Sequence, residues 1–288
     1  MCWTLNGSIE MSDRRRSVLL LVGAVVLWST SGLFIKLSSL NPLALAGGRS
    51  AITALVLLAW IGKPRFTWSA SQIGGALSMV LTFVLFVTAT QLTSAANAIL
   101  LQFTAPLYVA LFGGWFLGER PKSYDWWTMA AIVAGMVLFF GDALSRGGML
   151  GNILAMCSGV TLAWMTLFLR KERENSASTI LLGNMLTAAI GLPFLLLAPP
   201  QPVDWAILLF LGVFQLGIPF IMYSLSLRHL EALEAILIQT LEPILNPIWV
   251  FLVVGERPGP LALLGGALVI LAVALRALVA SRQVTGDG

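Results

Sequence analysis

Long apolar runs alternate with short polar joints along almost the whole chain. Ten runs stand out, over residues 17–37, 42–61, 70–91, 94–117, 124–141, 149–169, 177–197, 204–227, 231–254 and 259–279. Each is close to the roughly 20 residues with which a helix crosses about 30 Å of hydrocarbon. The runs are continuous rather than alternating, so helices are expected rather than a barrel. In lipid each helix satisfies its own backbone. The joints leave no room for an extramembrane domain. The expected fold class is an all-α membrane protein with ten transmembrane helices.

Composition agrees. The 288 residues are 58% hydrophobic and only 10% charged, with mean hydropathy +0.90, whereas a soluble domain carries about 25% charge. Cys2 and Cys157 lack the spacing of a metal site, and no disulfide framework is expected. A pI near 9.4 would suggest nucleic acid in a soluble protein. Here the basic residues lie between apolar runs and mark membrane orientation instead. Arg14, Arg15 and Arg16 before an apolar run resemble a signal peptide. However, residues 17–35 are long and no small-x-small cleavage site follows. They are read as the first span. Residues 1–16 form a cytoplasmic segment, with Met11 an alternative start.

The chain is duplicated. Residues 98–121, AILLQFTAPLYVALFGGWFLGERP, return without a gap as residues 235–258, AILIQTLEPILNPIWVFLVVGERP. Ala98, Ile99, Leu100, Gln102, Pro106, Gly118, Glu119, Arg120 and Pro121 all recur identically, through Gln239 and Pro243 to Glu256 and Arg257. Such a repeat governs the architecture. The earlier spans correspond more loosely: Trp28 with Trp164, Gly48-Arg49 with Gly183-Asn184, and Phe83 and Phe86 with Phe220 and Tyr223. The expected organisation is a first five-helix repeat over 17–141, a second over 149–279 and a cytoplasmic tail over 280–288.

Charge sets the orientation. With the N-terminus inside, thirteen of the seventeen Lys and Arg fall on the cytoplasmic side. Lys36, Arg146 and Arg257 fall outside, and Arg49 lies within a span. Both termini are therefore expected in the cytoplasm. Five spans per repeat, an odd number, turn the second copy upside down. Inverted repeats of this kind characterise secondary transporters.

These features resemble the drug/metabolite transporter superfamily, EamA family. The resemblance rests on five plus five spans, Trp28-Ser29 late in helix one, Arg49 in helix two, the proline of helix four and the GER endings. It covers nearly the whole chain. It implies a central substrate cavity lined by helices one, three, four, six, eight and nine, in a bacterial inner-membrane protein. Size and aromatic content resemble the aromatic amino-acid exporters, although one such scaffold carries many metabolites.

The candidate chemistry lies in the spans. Pro106 and Pro243 sit mid-span, and each frees the carbonyl four residues earlier, at Gln102 and Gln239. They are read as hinges that open those carbonyls to a cavity, against a simple packing kink. Gln239, Glu242 and Asn246 share one helix face at i, i+3 and i+7. Their twins are Gln102, Ala105 and Val109, so only the second half carries the polar stripe. Asn97 and Tyr108 add polar groups from helix four. A charged carboxyl at the bilayer centre costs about 2.5–3.5 kcal/mol on insertion scales. Glu242 should therefore face the interior. There it binds a substrate ammonium, carries a coupling proton, or makes a structural hydrogen bond.

Arg49 lies roughly 12 Å deep, at 1.5 Å per residue. It either binds a carboxylate or, as the favoured reading, fixes helix packing by snorkelling or pairing with an acid such as Glu256. Trp28, Trp164, Phe83, Phe86, Phe220 and Tyr223 are candidate aromatic walls, with Ser31 and Gln215 as lesser polar candidates. Trp126, Trp127 and Trp205 suit the interfacial belt. Glu119, Arg120, Glu256 and Arg257 are expected to fix the turns after helices four and nine. His229, the sole histidine, sits in a short turn, which excludes a histidine-based triad or zinc site.

No nucleotide-binding motif is present, and no interfacial carboxylate or histidine cluster suggests an enzyme. The expected function is secondary export of small amphipathic metabolites, with aromatic or bulky apolar amino acids first. Nucleoside, purine, vitamin or drug carriage, lipid handling and a channel remain as alternatives. No cofactor, metal or nucleic-acid partner is expected. The lipid bilayer, a small-molecule substrate and protons are the candidate partners of a monomer.

Overall fold

A computed structural model describes residues 3–93, 95–140, 148–197, 199–245 and 260–286. Every regular element among them is helical. Eight helical stretches, from Asp13–Ile35 to Leu263–Ala280, are long and apolar enough to cross a membrane. Two expected runs are not among the eight. Residues 124–141 correspond to helix α7 (Ser123–Phe140). The run 231–254 begins as α12 (Ala232–Gln239) and continues beyond the described residues.

Local chemistry sets the helix ends. In α3 (Pro42–Ile61) the Asn41 side chain caps the Leu43 N–H at 2.9 Å, and Pro42 occupies the first turn. Proline is tolerated there because that N–H has no helical partner. Ser69 caps α4 (Ala70–Leu92) through the Gln72 N–H at 3.0 Å. Gly118 follows the helix of the first GER ending with φ +75°, a conformation that a side chain would strain.

The remaining elements are α8 (Met149–Lys171), α9 (Ser176–Leu197), and α13 (Pro260–Gly286) at the C-terminal end. The first, fourth and eighth runs are each broken. Run one is α1 (Trp3–Trp28) and α2 (Ser31–Leu37), separated by a turn at Ser29-Thr30. Helix α1 also starts well before residue 17, so much of the expected N-terminal segment is helical. Run four is α5 (Ala95–Gln102) and α6 (Ala105–Phe116). Run eight is α10 (Pro202–Phe210), a π-helical turn (Leu211–Gly217) and α11 (Ile218–Ser226). Pro219 has no N–H to donate. Just before it the Ile218 N–H bonds back to the Val213 carbonyl, which widens the helix. Such turns often mark functional sites.

The packing reflects the duplication. Helix α3 lies against its counterpart α9, and α7 against its counterpart α13. Helix α1 pairs with α11, and α4 with α8, the exchanged version of the same contact. This is the pattern of a two-fold relation between halves. The α3–α9 crossing is very close, since a Cβ on Gly47 would stand 2.4 Å from the Gly191 Cα. Small residues permit such approaches between membrane helices. Leu55, Leu111, Trp115, Leu196 and Leu197 are exposed on the outside of the bundle, as a lipid-facing surface requires.

Candidate substrate cavity

The two breaks in the duplicated stretch coincide. Helix α5 ends at Gln102, and Phe103-Thr104 form a turn before α6. Helix α12 ends at Gln239, and Thr240-Leu241 form a turn before helix resumes at Glu242. Equivalent bonds close both turns: Thr104 N–H to the Leu101 carbonyl at 3.3 Å, and Leu241 N–H to the Ile238 carbonyl at 3.1 Å. Pro106 and Pro243 thus fall in the first turn of a new helical segment rather than mid-helix. The expectation that the freed Gln102 carbonyl faces a cavity needs correcting. It lies against α8, where a Cβ on Gly159 would meet it at 2.7 Å.

A cavity lies between the halves. Gln102 enters it from α5, and Gln239 and Glu242 from the second break. The Gln102 Nε2 donates to Ser158 Oγ of α8 at 2.6 Å. One wall is aromatic: Trp28 of α1, Phe83 and Phe86 of α4, and Phe220 of α11. Trp28 meets Phe220 edge-on at 5.6 Å between centroids, and Phe83 lies 5.9 Å from Phe220. Leu162, Met165 and Leu216 supply apolar surface, and Ser31, Thr82 and Gln215 polar surface. Runs one, three, four, six, eight and nine all contribute.

Run two contributes as well. Arg49 is 2% exposed and lines the cavity, its guanidinium carbon 5.4 Å from the Phe83 ring centroid. The expected outward snorkelling does not occur. The alternative partner, Glu256, lies outside the described residues. Arg49 and Glu242 both line the cavity, from opposite halves of the chain. Among the described residues no ion pair within 4.0 Å joins them. Three buried polar atoms on this lining lack a hydrogen-bond partner: Arg49 Nε, Ser31 Oγ and Gln215 Oε1.

Other expected residues lie elsewhere. Trp164 stacks on Phe112 at 5.3 Å and packs beside Phe116 and Phe168. Tyr223 is fully buried behind Trp28, its hydroxyl donating to Thr166 Oγ1 at 3.3 Å. Tyr108 packs against the core without reaching the cavity. Asn246, Arg257 and the side chain of Asn97 lie outside the described residues. Arg120 is exposed, its Cγ beside Gly114. Glu119 does more than shape its own turn. It pairs with Arg170 of α8 at 2.7 Å and accepts the Ala232 N–H at 2.8 Å. Sequence reasoning missed Thr82, Leu162, Met165 and Leu216; the last three are apolar, and nothing in their runs distinguishes them from lipid-facing neighbours.

A family model of EamA-like transporters matches residues 15–141 and again residues 149–278. The chain belongs to the EamA-like transporter family. Among curated proteins it is similar to the threonine/homoserine exporter RhtA of Escherichia coli K12. That match is 25% identical over 249 residues, covering 81% of this chain and 82% of the relative. It also resembles an uncharacterized transporter of Archaeoglobus fulgidus, at 25% identity over 89% of this chain and 96% of the relative. The pseudopaline exporter CntI of Pseudomonas aeruginosa is 24% identical over 62% of this chain and 64% of its own. One solved crystal structure matches the fold with TM-score 0.79 at 20% identity, covering 93% of this chain and 98% of the other. This EamA-family chain is a multi-pass membrane protein of a transporter family.

Proposed function

We propose that this protein is a secondary transporter that exports small amphipathic metabolites, amino acids first among them, from a bacterial cytoplasm. It lies in the inner membrane as a monomer of ten helices, two inverted five-helix repeats with both termini inside. One observation carries this reading. A single cavity between the halves presents an aromatic wall beside two opposite charges and several amides. An amino acid has matching parts, an apolar side chain and a charged polar end. The similarity to a threonine/homoserine exporter points the same way. The mechanism is alternating access. The paired breaks at 103–104 and 240–241 let the flanking helical segments move against each other, and the two-fold relation gives inward-open and outward-open states of similar energy.

Proteoliposomes holding the purified protein test this with a panel of labelled amino acids, nucleosides, purines and vitamins. Counterflow of amino acids is the expected result. Counterflow confined to another class reassigns the substrate, and non-saturable flux would indicate a channel.

A further inference from the structure

Of the three unpartnered buried polar atoms on the cavity lining, Arg49 Nε–H is a donor and Gln215 Oε1 an acceptor, while the Ser31 hydroxyl can act as either. Arg49 and Gln215 are 2% and 4% exposed. An unpaired buried polar atom costs about 1–3 kcal/mol, so something in the working cycle should satisfy these groups. Their chemistry specifies what. An anionic oxygen suits Arg49, while a cationic N–H suits Gln215 and Glu242. Arg49 and Glu242 are the two charged side chains among the described lining residues, and their charges sum to zero.

We propose, building on the transport reading above, that the cavity is a zwitterion clamp. The carboxylate of a free α-amino acid lies toward Arg49, and its ammonium lies toward Glu242 and Gln215. Among the described residues, the two protein charges stand apart, with no direct ion pair between them. A direct Arg49–Glu242 ion pair would be self-satisfied and would resist a ligand. Held apart, each charge keeps an open side. Phe83 lies against the guanidinium at 5.4 Å and limits where that side chain can turn. The aromatic wall then receives the substrate's apolar portion.

The clamp discriminates by repulsion as well as attraction. A monocarboxylate without an amine satisfies Arg49 but brings a negative charge toward Glu242. A monoamine satisfies Glu242 but approaches Arg49. Dicarboxylates and diamines place one charge against its like. Neutral nucleosides leave both protein charges without partners.

The test is counterflow of labelled L-phenylalanine and L-threonine in proteoliposomes, with competition by analogues. For phenylalanine these are phenyllactate, which lacks the ammonium, and phenethylamine, which lacks the carboxylate. Each lost charge-assisted bond should weaken competition by about tenfold or more. In Glu242→Gln, phenylalanine affinity should fall by about tenfold or more while phenyllactate competes at least as well as against wild type. In Arg49→Gln the pattern should invert, with phenethylamine retained. Arg49→Lys and Glu242→Asp keep the charges and should keep the wild-type ranking. If Arg49→Gln fails to fold, the wild-type competition series still decides. Equal competition by all three compounds against the wild type overturns the clamp and leaves amino-acid transport standing. Equal loss for all three compounds in both neutral variants also overturns it. Absence of amino-acid counterflow alongside transport of other solutes overturns the amino-acid reading, and the clamp with it.

Discussion

Glu119 accepts the backbone N–H of Ala232 at 2.8 Å while its other oxygen holds the Arg170 guanidinium at 2.7 Å. Ala232 is the first residue of α12, so an acid of the first repeat caps a helix of the second. A carboxylate at a helix N-terminus satisfies an orphan donor and faces the positive end of the helix dipole. Arg170 extends the link by donating to the Leu227 carbonyl at 2.6 Å. Glu119→Ala should therefore cost about 1–2 kcal/mol, the range for losing a helix cap. The readout is a lower Tm of the purified protein. A reporter Arg228→Cys should also label faster with a water-soluble thiol reagent. Unchanged melting and labelling would show that the link contributes nothing.

A second ionic cluster, which shares only α12 with the first, is more deeply buried. Arg276 of α13 meets Asp125 of α7 at 2.9 Å and Glu234 of α12 at 3.2 Å, and Arg14 of α1 also pairs with Glu234. The Arg276 and Asp125 side chains are each 3% exposed. Removing one partner of such a pair leaves the other uncompensated and costs about 3–5 kcal/mol. Asp125→Asn should lower thermal stability by that order, with the remaining Glu234 holding it toward the lower end. Asp125→Leu combined with Arg276→Met should recover much of the loss. A double variant no better than the single one would sink this account.

Trp164 and Phe83 separate core from cavity. Trp164 belongs to the Phe112, Phe116 and Phe168 cluster, whereas Phe83 lines the cavity beside Arg49. Trp164→Ala should lower stability, by up to the 3–5 kcal/mol or so of a fully buried aromatic truncation, with little change in substrate affinity. Phe83→Ala should weaken affinity for bulky amino acids. Counterflow kinetics beside thermal melts give both quantities, and the opposite assignment would move Trp164 into the site.

The α3–α9 crossing depends on two glycines. Gly47→Ala would place a Cβ 2.4 Å from the Gly191 Cα, where backbone cannot yield as a side chain can. The expected cost is about 1–3 kcal/mol, as for other overpacked sites. Gly62→Ala, by contrast, meets no atom within 4 Å but carries φ +70°, so it reports backbone strain alone. Comparable melting of Gly47→Ala and wild type would mean that the helices slide apart easily.

Glu242→Gln also distinguishes the two roles open to this carboxylate. If it binds ammonium, counterflow affinity falls across the pH range and the shape of the pH profile persists. If it carries a coupling proton, the pH dependence itself disappears. The orphaned acceptor on Gln215 and the opposing Arg49 favour the first outcome.

The helical runs and their duplication are determined by the sequence alone. Hydrophobicity over twenty residues is a local property, and lipid as solvent permits few backbone solutions. The polar residues Gln102, Gln239 and Glu242 were legible for the same reason, since such groups avoid lipid. Only the tertiary structure decided which face of each helix turns inward. Trp28 reaches the cavity, and its counterpart Trp164 does not. Run one breaks at 29–30, while α8 continues unbroken. Arg49 and Glu242 come from opposite halves of the chain, and nothing in either local stretch states that they share one space. Helix breaks and helix rotation set that relation, and both depend on neighbours remote in sequence.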